Sequence, residues 1–151
     1  IIEAGAATGA SALFFADMLS LFCPGAKVIT VDIEKREVPQ HSNIEYIIGS
    51  SSDRNLFETI KAKVAGKKVM VVLDSDHRYN HVRRELRLYG RIVTPGQFLV
   101  VEDCYTRNEP MKGPGLAVEW YLKTTDKFKR ETPEDKYFVA VTRGGWLRRV
   151  R

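Results

Sequence analysis

The sequence has little cysteine, and that excludes several classes at once. Cys23 and Cys104 stand alone, with no CxxC pair and no zinc-ligand spacing. A disulfide scaffold and a structural zinc module are therefore ruled out. Two lone thiols fit a reducing compartment, and a cytoplasmic location is expected. Long hydrophobic runs are also missing. None approaches the ~18 residues that cross a bilayer, so no membrane span is expected. The opening residues, Ile1 to Gly9, are too short and too broken by glycine for a signal peptide. They enter directly on an apolar strand-like run without Met, so an N-terminal piece is expected to be missing. Histidine is scarce too. The three are His41, His77 and His81, and none lies in an HxD or HExxH pattern. This speaks against a two-His, one-carboxylate iron site and against a zinc hydrolase.

What is present is ordinary for a globular domain: 151 residues, 44% hydrophobic and 28% charged. One domain over residues 1–151 is expected. The net charge is +5, but Lys and Arg are spread along the chain, with one local cluster at Arg148, Arg149 and Arg151. That pattern reads as a solvated basic face, and no nucleic-acid partner is expected. There is no repeat and no low-complexity segment.

Apolar runs alternate with helical patterns. Strands are expected at residues 1–4, 27–33, 44–48, 68–73 and 97–101. A last antiparallel edge pair is expected near 128–131 and 137–142. Helices are expected over 11–22, with Ala12, Phe15, Leu19 and Phe22 on one face, and after a cap at Ser52 or Asp53, with Leu56, Ile60 and Val64 inward. Two more are expected over 77–89, burying Val82, Leu86 and Tyr89, and over about 116–123. This strict alternation argues for a parallel sheet covered by helices on both faces. In such sheets ligands bind beyond the carboxyl ends of the strands.

Those ends carry the chemistry. After the first strand comes Glu3-Ala4-Gly5-Ala6-Ala7-Thr8-Gly9-Ala10-Ser11. Its glycines permit a tight turn, and the following helix offers free N–H groups to an anion. The spacing is ExGxxxG, neither the dinucleotide fingerprint nor the P-loop. A purely structural glycine turn is the alternative. Asp32 ends the second strand, where an acid accepts bonds from ribose hydroxyls or caps a helix. Gly49-Ser50-Ser51-Ser52-Asp53 follows the third, lining a nucleoside edge or capping the next helix. Asp74, with Asp76 near by, and Glu102-Asp103 end the fourth and fifth. Gathered carboxylates repel unless a cation or protons intervene, and hard oxygen donors suit Mg²⁺, Mn²⁺ or Ca²⁺. The alternative is that some of these acids point away or pair with arginine.

The glycine run resembles motif I of the class I S-adenosyl-L-methionine (SAM) methyltransferases and is most similar to the catechol O-methyltransferase group. A likeness over nearly the whole chain, through SALFFADML, IEYIIGSSSD, VMVVLDSDH, LVVED and GGWL, resembles the cephalosporin hydroxylase and rhamnosyl O-methyltransferase family. The resemblance implies a Rossmann-like α/β sandwich whose mostly parallel seven-stranded sheet has order 3-2-1-4-5-7-6 and an antiparallel last strand. It implies Gly5 and Gly9 at the methionine end of SAM, Ser11 on its carboxylate, Asp32 on the ribose, and Ser50 and Ser51 beside the adenine. Glu3, Ala6 and Ile33 complete the implied cofactor set. Asp74, Glu102 and Asp103 fall where that group places three metal ligands, implying Mg²⁺ or another divalent cation. His77 falls where catechol O-methyltransferase has its catalytic lysine, implying catalytic roles for His77 and Asp74. Glu102-Asp103 departs from the Asp-Asn common in catechol enzymes.

The implied activity is methyl transfer from SAM to a hydroxyl of a small molecule or sugar, in natural-product or glycan tailoring. A hydroxylase of the cephalosporin hydroxylase type and a non-catalytic SAM-binding module are the alternatives. Self-association into a homo-oligomer is left open.

Overall fold

Valine and isoleucine crowd the short runs between the glycine-rich turns, and those runs pair into one sheet. The computed structural model describes residues 1–106, 109–110, 112–131 and 142–151. In chain order the elements are β1 (Ile2–Ala4), α1 (Ala10–Phe22), β2 (Val28–Asp32), β3 (Ile44–Ile48), α2 (Arg54–Lys63), β4 (Val71–Leu73), α3 (Tyr79–Tyr89) and β5 (Phe98–Val101). A small hairpin comes next, β6 (Tyr105–Thr106) with β7 (Glu109–Pro110), then α4 (Pro114–Thr124), β8 (Phe128–Arg130) and β9 (Trp146–Arg149).

The main sheet has the order β3-β2-β1-β4-β5-β9-β8. Setting the hairpin aside, this is the expected 3-2-1-4-5-7-6. β1 to β5 run parallel, and β9 is antiparallel to both β5 and β8. Residues Ile2, Ile29 and Val71 sit level across the centre of the sheet, so Ala4, Val31 and Leu73 end level as well. The turns leaving β1, β2 and β4 therefore open onto one shared edge.

Alternation along the strands divides the core. Ile2, Ala4, Val31, Leu73 and Val101 face α2, α3 and α4, where Phe57, Ile60, Leu86, Tyr89 and Val118 are buried. Phe57 and Tyr89 meet edge-on with centroids 5.5 Å apart, a favoured aromatic geometry. On the opposite face α1 packs through Ala12 and Ala16 against Val28, with Phe15 and Leu19 at the margin.

The structure corrects several expected boundaries. Small Ala16, not Phe22, completes the inner face of α1; small side chains let the helix approach the sheet closely, and Phe22 is 77% exposed. In α2 the fully buried residues are Phe57 and Ile60, while Leu56 and Val64 pack at the margin. The fourth strand pairs only from Val71, because Val69 N–H donates instead to Thr94 Oγ1. Helix α3 begins at Tyr79, not His77, because Arg78 N–H donates to Asp76 Oδ1 and holds a turn ahead of the helix. Of the expected strand at 137–142, residues 137–141 lie outside the described residues. Among those described, the partner of β8 is β9, which carries no strand signal in the sequence beyond its place after the Gly144-Gly145 turn.

Leu86 is fully buried and Leu21 is 69% exposed. Leu86→Ala is expected to lower stability by about 2–5 kcal/mol and Leu21→Ala by less than about 0.5 kcal/mol, both read from urea unfolding midpoints.

Candidate functional site

The turn after β1 is held against its neighbours by backbone contact. Gly5 has φ +99°, and a Cβ there would lie 2.0 Å from the Asp74 carbonyl oxygen. Gly5 N–H donates to Val31 O, and Asp74 N–H donates to Ala4 O, each at 2.8 Å. Gly9, at φ +77°, leads into α1. Ala7 also adopts a positive φ, 44°. Its N–H donates to Asp32 Oδ2 at 2.8 Å, which ties the turn to the end of β2.

Asp32 also accepts Glu34 N–H through Oδ1 at 2.9 Å. No helix comes directly after β2, so the helix-cap reading of Asp32 falls away. Both oxygens are oriented by backbone donors, and each keeps lone-pair capacity for a ligand hydroxyl. Asp53 is the residue that caps a helix: its Oδ1 accepts Leu56 N–H at 2.8 Å.

Glu3 lies beneath this turn and is only 2% exposed. Thr30 Oγ1 donates to its carboxylate at 2.5 Å. Burial pushes the Glu3 carboxyl above the usual range, and hydrogen bonds from Ser11 and Thr30 partly offset this. Glu3 and Ser11 thus brace α1 against β1 and β2.

A cavity of about 550 Å³ opens at this sheet edge. Of the expected cofactor residues, Gly5, Asp32, Ile33, Ser50 and Ser51 line it, and so does Asp74. Ala6 is buried, while Gly9 and Ser11 start α1. Ser75, Asp76 and His81 also line the cavity; Ser75 was missed in the sequence, and Asp76, expected near the gathered acids, instead pairs with Arg78 and faces His81. His77 and His81 are four apart and suggest a shared helical face. Because α3 begins only at Tyr79, they diverge: His81 turns to Ser51 at 3.0 Å, and His77 turns to the acids beyond β4 and β5.

Those acids form a compact group. His77 Nε2 is 3.2 Å from Asp74 Oδ1, and its Nδ1 is 3.3 Å from Asp103 Oδ2. One ligand atom from each of Asp74, His77 and Asp103 falls within 4.8 Å of the others. Two ligands on opposite sides of an ion with ~2.1 Å bonds are ~4.2 Å apart, so the spacing and the two hard carboxylates fit a divalent cation. Asp103 sits at φ +52°, a left-handed conformation that Asp tolerates better than most residues. Glu102 stands beside the group, but its Oε2 accepts from Thr142 Oγ1 at 2.9 Å. Burial is the main cause raising the carboxyls of Asp74 and Glu102, and their acidic neighbours add to it.

A larger cavity, about 1120 Å³, lies among α3, α4 and β9 and holds none of the expected site residues. In the basic cluster near it Arg148 and Arg151 lie on the solvated surface, as expected, and Arg149 ties backbone together. Arg149 donates to the Gly90, Arg91 and Val93 carbonyls, Arg148 pairs with Glu131 and Arg151 with Asp126.

Sheet order, glycine turn and acidic strand ends together define the class I methyltransferase fold. The chain belongs to the Rhamnosyl O-methyltransferase/CmcI family, whose family model matches residues 1–150. It is 32% identical over 147 residues to the rhamnosyl O-methyltransferase of Mycobacterium tuberculosis (strain ATCC 25618 / H37Rv), covering 89% of this chain and 58% of that protein. The Mycobacterium leprae (strain TN) rhamnosyl O-methyltransferase is 33% identical over 146 residues, covering 89% and 60%. The chain therefore spans about three fifths of the length of these curated relatives. Among solved structures, CmcI with Mg and SAM superimposes with TM-score 0.67 at 22% identity, over 99% of this chain and 64% of that one. The mycinamycin-pathway methyltransferase MycE with Mg and SAH matches with TM-score 0.60 at 21% identity, over 82% and 34%.

Asp74→Asn removes one carboxylate from a mutually repelling group. In cation-free buffer this variant is expected to melt at or above the wild-type temperature. Millimolar MgCl₂ is expected to raise the melting temperature of the wild type and leave that of the variant unchanged.

Proposed function

We propose that this chain forms the core of a SAM-dependent, divalent-cation-dependent O-methyltransferase that acts on a hydroxyl of a sugar or other small molecule. One observation carries the reading. Asp74 belongs both to the wall of the nucleoside-sized cavity and to the Asp74–His77–Asp103 group. A methyl donor in the first and a cation in the second would meet at one side chain.

When bound, SAM supplies an electrophilic methyl group, and the cation lowers the pKa of the acceptor hydroxyl. The chain's own residues position the reactants. Asp32, fixed by two backbone donors, receives the ribose hydroxyls. Gly5 keeps the turn low, so that backbone rather than side chain faces the methionine end, with Gly9 and Ser11 beyond it. Ser50 and Ser51 border the adenine. Asp74 and Asp103 would hold the cation, with Glu102 a further oxygen donor beside them. His77, beside the Asp74 and Asp103 carboxylates, is the side chain given the role of taking up the hydroxyl proton. In-line alignment of acceptor oxygen and methyl carbon is then the main source of rate.

The names of the relatives support a sugar hydroxyl as acceptor, and natural-product or glycan tailoring as the setting. The iron-hydroxylase alternative finds no support: the acid group has one histidine, and His81 is engaged elsewhere. No described helix is long and apolar enough to cross a membrane, and the free thiols Cys23 and Cys104 support a reducing, cytoplasmic setting. A homo-oligomer remains part of the reading.

The test is SAM turnover by the full-length protein with Mg²⁺ and a rhamnoside acceptor, followed as SAH release. Asp32→Ala is expected to raise the SAM KM by roughly 10- to 100-fold, the worth of a charged hydrogen bond, with a smaller change in kcat. Asp74→Ala or EDTA is expected to abolish turnover. Turnover that persists undiminished after both treatments would contradict the assignment.

A further inference from the structure

Behind Ser51 the cavity wall holds a charged network whose histidine and acids the reaction above does not use. Glu85 on α3 is 1% exposed and accepts Ser75 Oγ–H at 2.6 Å. His81, one turn earlier, has Nε2 at 3.0 Å from Ser51 Oγ, 3.3 Å from Ser75 Oγ and 3.4 Å from Glu85 Oε1. Its Nδ1 is 3.7 Å from Asp76 Oδ2. The ring thus lies between two carboxylates, and Ser51, Ser75, Asp76 and His81 all border the cavity.

We propose that His81, clamped by Glu85 and Asp76, is a positioning residue that makes Ser51 a hydrogen-bond donor toward the adenine of the cofactor. This rests on the SAM-binding reading of the cavity. The protons in the network can be counted. As imidazolium, His81 donates from Nε2, and Ser51 Oγ, the nearest oxygen, accepts. The Ser51 hydroxyl proton must then go elsewhere. Ser75 has already committed its own proton to Glu85, so Ser51 Oγ–H is left to Ser75 Oγ at 3.3 Å or to an acceptor in the cavity. The ring nitrogens of adenine are such acceptors. With neutral His81 protonated at Nδ1 toward Asp76, Nε2 becomes an acceptor. Ser51 then donates inward and offers the cavity only lone pairs. The protonation state of His81 therefore inverts the polarity of Ser51.

The groups facing His81 set which state prevails. Glu85, 3.4 Å from Nε2, is the largest influence raising the His81 pKa; Asp76 adds to it, while burial and Arg78 oppose it. Asp76 is itself held in place by Arg78, whose backbone N–H donates to Oδ1 and whose Nε–H donates to Oδ2. A raised histidine pKa means that the donor state is full at low pH and is lost as pH climbs through that raised value.

Calorimetric titration of the full-length protein with SAH, between pH 6 and 8.5, tests this. Wild-type Kd is expected to weaken about tenfold over the range, the worth of one hydrogen bond. In His81→Gln the amide N–H donates at every pH, so tight binding is expected to persist with a flat profile. In Ser51→Ala binding is expected to be weak and flat. A flat wild-type profile, or an unchanged slope in His81→Gln, overturns the role given to His81. Failure of the wild type to bind SAH at any pH overturns the cofactor reading itself.

Discussion

The carbonyl of Asp74 occupies the space that a side chain at position 5 would need. The β1 turn and the end of β4 meet backbone to backbone, and Gly5 alone permits it. This contact places the floor of the cavity and the first acid of the cation group at one point. Its neighbours are set by the same register: Ala4, Val31 and Leu73 end level, so the turns leaving these strands open side by side. The N–H groups of Gly5 and Ala7 reach β2, through Val31 O and Asp32 Oδ2. Glu3 beneath, tied to Thr30, keeps the layer from sliding.

The arrangement sets two electrostatic problems close together and solves them differently. Around His81, one buried and one half-buried carboxylate are met within the protein by the imidazole and, at Asp76, by the Arg78 guanidinium as well. Around Asp74, Glu102 and Asp103, among the described residues, one histidine contacts Asp74 and Asp103 and the Thr142 hydroxyl contacts Glu102, and burial raises two of the three acids. The three carboxylates outnumber the one histidine that contacts them among the described residues, the condition that a bound divalent cation would relieve. Stability and function pull apart at the second cluster and not at the first, as is common where sites carry strain or unbalanced charge.

Much of the fold was legible because its signals are short in range. Valine and isoleucine runs, glycine-bearing turns and the Asp53 cap each act within a few residues. Sheet order came from family likeness and agrees with the observed pairing. What could not be read were features set by long-range packing. Ala16 looked too small to matter, yet smallness is what brings α1 onto β2. Strand β9, WLRR, has two adjacent arginines and no alternation to mark it; it exists because β5 and β8 pair with it on both sides. At the site, Gly5, Asp32 and Asp74 stand out by type and position. Ser75 does not, and Asp76 and His81 are seen but misplaced, beside the gathered acids and beside His77, because their position depends on where α3 begins. That start is fixed by the hydrogen bond from Arg78 N–H to Asp76, a detail no periodicity reveals.

The central claim is that Asp74 joins a cofactor cavity to a divalent-cation site. Anomalous diffraction from crystals of the full-length protein soaked with Mn²⁺ and SAH addresses it directly. One manganese peak is expected, with carboxylate oxygens of Asp74 and Asp103 at ~2.1–2.3 Å, a distance typical of hard oxygen ligands, and SAH with its ribose on Asp32. Manganese held only by other residues, or SAH lodged away from Asp32, would contradict it.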